Sequence, residues 1–144
     1  RQRQMCIRDR LDADLAIIDK RRSEDGTAEV MHVVGQVKDR VCILQDDIVD
    51  TAGTLANAVM ALRERGAKTV YAAATHPLLS GEAVARLSNA PIEEMVVTNT
   101  IDVPEHKRFD GLRILSVADL LAKAIDHVHS NESVSQLFEE LPDD

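Results

Sequence analysis

The stretch VCILQDDIVDTAGTL, residues 41–55, decides the fold. It begins with an apolar run of strand length, continues through the acids Asp46, Asp47 and Asp50, and ends in small residues that open a stretch of helical period. A strand that leads through a short loop into a helix is the first half of a βαβ unit, in which ligands bind beyond the carboxyl ends of the strands. Residues 41–55 therefore predict an α/β domain whose site lies on this loop.

The rest of the chain alternates in the same way between strand-like and helix-like segments. Leu55, Val59 and Leu62 recur at helical spacing before Gly66, which suits the left-handed position just past a helix end. Short runs typical of strands lie at residues 15–18, 41–44, 70–74, 95–98 and 113–115. The alternation predicts one α/β domain over residues 11–138, with a parallel sheet and helices on both faces.

A second amphipathic helix is predicted near the end of the chain. Ser116 and Asp119 form a start that resembles a capping box. The apolar stripe of this helix consists of Val117, Leu120, Leu121, Ala124, Ile125 and Val128. Because a continuous apolar stripe favours burial, we expect this helix to pack on the sheet.

The loop after the first strand has the composition of a phosphate site. The small residues from Thr51 to Thr54 leave backbone N–H groups uncovered at a helix start, where the helix dipole and the threonine hydroxyls also favour an anion. Asp46 and Asp47 are acceptor groups suited to sugar hydroxyls, so the loop predicts a grip for a phosphorylated sugar. The alternative is a solvated acidic turn in which Thr51 is only an N-cap.

Composition excludes several classes of partner. The 144 residues carry a formal net charge of -8, which opposes binding to nucleic acid or to an anionic membrane surface. No apolar stretch is long enough to span a bilayer, and the two cysteines, Cys6 and Cys42, are too few for a disulfide framework. We expect a cytoplasmic location.

The two ends of the chain differ in composition from its centre. Residues 1–10 carry four arginines against one aspartate, and residues 139–144 are acidic. We expect residues 1–10 to be a disordered or foreign tail; the alternative is a basic arm that binds nucleic acid.

The acidic loop carries a resemblance to known families. The sequence DDIVDTAGT, residues 46–54, closely resembles the motif shared by type I phosphoribosyltransferases and ribose-phosphate diphosphokinases. The segment IIDKRR, residues 17–22, resembles the catalytic segment of the diphosphokinases, which leads from a strand into a mobile loop. This second segment favours the diphosphokinases, and the resemblance implies catalytic roles for Lys20 and Arg22.

The resemblance implies both a fold and a reaction. The fold is a parallel-sheet domain of the type I phosphoribosyltransferase kind. The reaction transfers diphosphate from ATP to O1 of ribose 5-phosphate and gives phosphoribosyl pyrophosphate and AMP for nucleotide biosynthesis. The ribose 5-phosphate site would be formed by Arg22, Asp46, Asp47, Asp50, Thr51, Ala52, Gly53 and Thr54.

In the family this domain is the C-terminal half of a longer enzyme. The resemblance implies an N-terminal domain that supplies the adenine pocket and the ligands for Mg²⁺, and it implies a homo-oligomer, a hexamer in the family. We therefore expect this chain to be a truncated or mis-joined part that is inactive alone. Residues Ser133, Ser135 and Phe138 would lie near a regulatory phosphate or ADP site.

Two alternatives stay open at the level of the sequence. A type I phosphoribosyltransferase would need a hood that recognises a base, and no segment here resembles one. A noncatalytic regulatory relative of the synthetase would be expected to have lost residues from one of the two motifs, and both are retained in residues 17–22 and 46–54.

Overall fold

The strands and helices follow the predicted alternation. The computed structural model of the chain describes residues 7–22 and 29–138, without the side chains of residues 20–22, 29, 30 and 138. Residues 7–10 are helical. The strands are β1 (Ile17–Arg22), β2 (Glu29–Val34), β3 (Val41–Val49), β4 (Thr69–Pro77), β5 (Met95–Thr98) and β6 (Leu112–Leu115). The α-helices that follow residue 41 are α1 (Gly53–Glu64), α2 (Ala83–Asn89) and α3 (Ala118–His129).

The main sheet is parallel. Its four strands have the order β3-β4-β5-β6, so each strand lies beside the next one along the chain. Strand β1 does not join this sheet, because it pairs with β2 in a separate antiparallel hairpin. The α/β class with a parallel sheet is confirmed, whereas the expectation that residues 15–18 belong to that sheet is wrong.

Helix α1 packs where its apolar spacing predicts. Leu55, Val59 and Leu62 are all buried, and Val59 is completely enclosed. The chain leaves the helix through Gly66 with a φ of +86°, as expected for a residue just past a helix end.

Helices α1 and α2 cover the same face of the sheet. Ala83 and Leu87 of α2 share one core with Leu55 of α1, Ala72 of β4 and Met95 of β5. Every second side chain of β4 between Thr69 and Thr75 is only half-buried. Within the described residues, the face of the sheet opposite α1 and α2 is therefore less covered.

Helix α3 forms as predicted but does not bury its stripe. None of its residues is buried, and the side chains of Ile125 and Val128 are 70% and 67% exposed. The expectation that this helix packs on the sheet is therefore corrected by the structure. The amide of Val117 donates to Asn99 Oδ1 at 2.9 Å, so the start of α3 is attached to the end of β5.

A short 3₁₀ helix, Val134–Phe138, follows α3. Its Leu137 is buried, and His127 Nδ1 lies 3.1 Å from the carbonyl oxygen of Ser133. The segment thus folds back against the end of α3. No helix among the described residues is long and apolar enough to cross a membrane.

Replacing Gly66 tests the left-handed turn after α1. The backbone φ of Gly66 is +86°, and a Cβ added at this position would lie 3.2 Å from the side chain of Lys38. Because left-handed backbone costs an L residue about 1–2 kcal/mol, we expect Gly66→Ala to lower the free energy of unfolding by that amount in urea titration. Gly53→Ala is the control, since a Cβ there meets no protein atom within 4 Å and no loss is expected.

Replacing Ile125 tests the exposure of α3. We expect Ile125→Ser to change the free energy of unfolding by less than about 0.5 kcal/mol, because the side chain is already in water. Leu62→Ala is the matched change in the core and should cost about 2–5 kcal/mol. A cost for Ile125→Ser as large as that for Leu62→Ala would show that α3 packs against this chain after all.

Candidate functional site

The turn from β3 to α1 forms the centre of the candidate site. The strand ends at Val49 and the helix begins at Gly53, with Ala52 as the N-cap residue in a left-handed conformation, φ 58° and ψ 7°. No described side chain accepts a hydrogen bond at this helix start. Ala52 and not Thr51 is therefore the N-cap residue, and the first N–H groups of α1 are left for another acceptor.

The segment that follows β4 holds this turn from one side. The amides of Leu78 and Leu79 donate to the carbonyl of Val49 at 3.0 and 3.1 Å, and the amide of Ser80 donates to the carbonyl of Asp50 at 3.0 Å. Further along, Arg86 Nη1 of α2 donates to the carbonyl of Thr51 at 2.7 Å. Three successive carbonyls of the turn are thus bound by one segment of the chain. A cleft of about 490 Å³ between α1 and α2 borders Gly53 and Arg86.

Each of the two acids near the end of β3 accepts a hydrogen bond from the amide of the residue that follows it. The amide of Asp47 donates to Asp46 Oδ1 at 2.9 Å, and the amide of Ile48 donates to Asp47 Oδ1 at 2.9 Å. Gln45 Nε2 donates to the carbonyl of Asp46 at 3.1 Å, which gives Gln45 a local structural contact at the mouth of the site. Asp47 is exposed, whereas Asp46 is half-buried beside its register partner Ala74.

Burial changes the acidity of Asp46. Desolvation is the largest cause that raises the pKa of this carboxyl above its ordinary value, and the side chain of Asp47 raises the pKa further by its hydrogen bond and charge. The backbone N–H of Asp47 acts in the opposite direction. Burial therefore disfavours the negative form of Asp46, and a hydroxyl donor would relieve that cost.

All but one of the predicted sugar-phosphate residues lie in this one segment. Asp50, Thr51 and Thr54 are exposed around the turn, while Ala52 is buried at 6% exposure and fixes the turn to the core. The arrangement offers N–H groups for a phosphate and carboxylates for hydroxyls along one short path.

Lys20 and Arg22 lie in β1, where their backbones pair with Met31 and Glu29 of β2. Their side chains and residues 23–28, which follow β1, fall outside the described residues. The structure therefore gives both residues a strand backbone, and their contacts with the turn remain a prediction.

The predicted regulatory residues are near the end of the described chain. Ser133 accepts a hydrogen bond from the amide of Ser135 at 3.3 Å, and both belong to the fold-back after α3. The side chain of Phe138 is outside the described part. No group of three or more metal-ligating side chains forms among the described residues.

Sequence reasoning missed a polar cluster on the neighbouring strand ends. His76 Nδ1 lies 2.8 Å from Thr100 Oγ1, and the hydroxyls of Thr98 and Thr100 both donate to the carbonyl of Thr75. These partners are more than twenty positions apart, as Arg86 is from Thr51, so only the register of the sheet brings them together.

The chain is an α/β domain in which a helix start without a side-chain cap follows the carboxyl end of a parallel strand. Residues 6–139 match the family model described as the phosphoribosyl synthetase-associated domain. The chain belongs to this family.

Curated relatives are ribose-phosphate pyrophosphokinases. The enzyme named ribose-phosphate pyrophosphokinase 1 of Listeria innocua is 57% identical over 131 residues, which cover 91% of this chain and 41% of the relative. The Bacillus subtilis ribose-phosphate pyrophosphokinase is 54% identical over 132 residues, covering 92% of this chain and 42% of the relative. The chain thus spans about two-fifths of the length of these relatives.

A solved structure shows the same fold. The crystal structure of phosphoribosylpyrophosphate synthetase from Mycobacterium smegmatis is similar with a TM-score of 0.82 and 46% sequence identity. The match covers 90% of this chain and 42% of that structure's chain.

The raised pKa of Asp46 predicts a stability that depends on pH. A carboxyl whose folded pKa exceeds its unfolded pKa stabilises the fold below the unfolded value, and this contribution is lost as pH rises through the folded value. We expect Asp46→Asn to melt above the unchanged chain at pH 7, with the difference shrinking towards about pH 3.5, near the ordinary pKa of aspartate.

Thermal unfolding followed by circular dichroism across this pH range measures the difference. Glu93→Gln, at an exposed position, controls for the loss of a surface charge. An Asp46→Asn variant that melts below the unchanged chain at pH 7 would show that burial does not penalise the carboxylate.

Proposed function

We propose that the chain is the ribose 5-phosphate-binding, C-terminal part of a ribose-phosphate pyrophosphokinase. The whole enzyme would transfer the diphosphate of ATP to O1 of ribose 5-phosphate and release AMP. The observation that carries the proposal is the start of α1, which has no side-chain cap and follows the left-handed Ala52 within the sequence DDIVDTAGT.

The proposed grip divides the substrate between the two ends of the loop. The segment from Asp50 to Thr54 holds the 5-phosphate through backbone N–H groups and threonine hydroxyls. Asp46, with Asp47, accepts hydrogen bonds from the ribose hydroxyls. Both ends of the sugar are then held, which directs O1 for an in-line attack and lowers the entropic part of the barrier.

The attack forms a bond between O1 and the β-phosphorus of ATP and breaks the bond from that phosphorus to the α–β bridging oxygen. Negative charge grows on the bridging and equatorial oxygens. We assign its stabilisation to Lys20 and Arg22, with Arg22 also contributing to the sugar-phosphate site. This assignment is supported by the IIDKRR resemblance and by the place of both residues in β1, just before residues 23–28. Loss of one such cation would cost on the order of 3 kcal/mol in the barrier.

The remaining components of the reaction are proposed for the longer protein. The curated relatives are more than twice as long as this chain's match, which supports a further domain for ATP. Mg²⁺ is expected with ATP, but the described residues form no group of three or more side chains that could hold it. We therefore propose that this chain alone has no diphosphokinase activity, and that the complete enzyme is a cytoplasmic homo-oligomer.

The alternatives of a phosphoribosyltransferase or a noncatalytic relative gain no support from the relatives. The curated relatives are named for pyrophosphokinase activity, and the loop at residues 46–54 is intact.

Isothermal calorimetry of ribose 5-phosphate against the 144-residue chain tests the proposal. We expect the Thr51→Val, Gly53→Val double variant to lose at least about tenfold in affinity, as expected when hydrogen bonds to a charged group are lost. The variant should keep its fold, because a Cβ on Gly53 meets no protein atom within 4 Å.

Ribose without phosphate is the matched ligand and should bind far more weakly than ribose 5-phosphate. Equal affinity for the two ligands, or equal affinity of the two proteins for ribose 5-phosphate, would refute a phosphate site at this turn. Formation of phosphoribosyl pyrophosphate by the 144-residue chain with ATP would refute the requirement for a further domain.

A further inference from the structure

Arg86 connects α2 to the centre of the proposed phosphate site. Its Nη1 donates to the carbonyl of Thr51 at 2.7 Å. The helix that carries it is held firmly, because Ala83 and Leu87 on the same helix are almost completely buried. The contact is therefore made from a rigid base to the residue that immediately precedes the left-handed turn.

The contact determines which way one peptide group faces. The peptide between Thr51 and Ala52 is trans, so its C=O and N–H groups point in opposite directions. Since the C=O group is bound by Arg86, the N–H group of Ala52 points away from α2. Backbone amides of the segment after β4 bind the carbonyls of Val49 and Asp50. Arg86 binds the next carbonyl, so three successive carbonyls are held from the same side.

Arg86 brings a positive charge to the carbonyl of Thr51. It forms no ion pair with any carboxylate among the described residues, and its side chain is exposed. A cation bound to a carbonyl also polarises the peptide, which makes the N–H group on the other side of that peptide a stronger donor. Arg86 therefore adds positive potential to a turn that otherwise follows three acids.

We propose that Arg86 is a positioning residue of the phosphate site. It orients and polarises the Thr51–Ala52 peptide so that the Ala52 N–H group serves the bound phosphate, and it supplies positive charge to the turn. The inference rests on the proposed function and deepens it by naming a residue that lies outside residues 46–54.

The experiment compares four forms of the 144-residue chain by calorimetry with ribose 5-phosphate and with inorganic phosphate. Arg86→Lys keeps the charge and a donor, Arg86→Gln keeps a neutral donor, and Arg86→Leu keeps neither. We expect Arg86→Leu to lose about tenfold or more in affinity for both ligands, Arg86→Gln to be intermediate, and Arg86→Lys to stay within about threefold.

Arg113→Gln is the matched control for lost positive charge. Arg113 lies on β6, and its Nη1 is 3.7 Å from Glu94, so its replacement should leave both affinities unchanged. Thermal unfolding of every variant is measured beside the titrations. Should Arg86→Leu fail to fold, the comparison of Arg86→Lys with Arg86→Gln decides, because a purely structural role does not make affinity follow the charge.

Each outcome gives an answer. Equal affinities in all four forms, or an Arg86→Lys variant as weak as the neutral variants, would overturn the role of Arg86. If the Thr51→Val, Gly53→Val variant loses binding while the Arg86 variants do not, only this inference fails. Absence of binding by the unchanged chain would overturn the proposed function, and this inference with it.

Discussion

The left-handed turn at Ala52 is the constraint on which the site depends. The chain must pass from β3 into α1 within three residues, and a φ of 58° at an alanine costs about 1–2 kcal/mol. Burial of the Ala52 methyl group and of Leu55 in the core opposes this cost. The same turn leaves the first N–H groups of the helix without side-chain caps, so the strained backbone and the proposed anion site are one feature.

The second βα unit stabilises the turn in the first. Backbone donors after β4 bind the carbonyls of Val49 and Asp50, and the side chain of Arg86 binds that of Thr51. Since these three carbonyls are bound by the second unit, the N–H group of each of these peptides points away from the donor that binds its carbonyl. The parallel register also sets Asp46 beside Ala74 on the helix-covered face, which explains why this acid is desolvated and Asp47 is not buried.

Local patterns could be predicted from the sequence, and contacts between distant segments could not. Residues 41–55 specify a strand, a turn and a helix within one continuous stretch, and Gly66 ends that helix by its own conformational freedom. The sequence pattern does not predict helix α2, because this helix is only seven residues long and buries only Ala83 and Leu87. The pairing of Arg86 with Thr51 depends on how two βα units meet, which no spacing in the sequence records. The sequence shows the apolar stripe of α3, but an apolar stripe does not specify which surface covers it.

Much of the exposed apolar surface of this chain lies outside the candidate site, although Ile48 and Leu78 are exposed next to the turn. Exposed aliphatic side chains occur at Val41 and Ile43 on β3 and at Ile125 on α3, away from the turn. By contrast, the hydrogen bonds that hold the turn come from residues between 49 and 86, and its core contacts come from α1, α2 and β4. The geometry of the proposed phosphate grip is therefore a property of two adjacent βα units. A ligand that needs only those units should be recognised whether or not the apolar surfaces are covered.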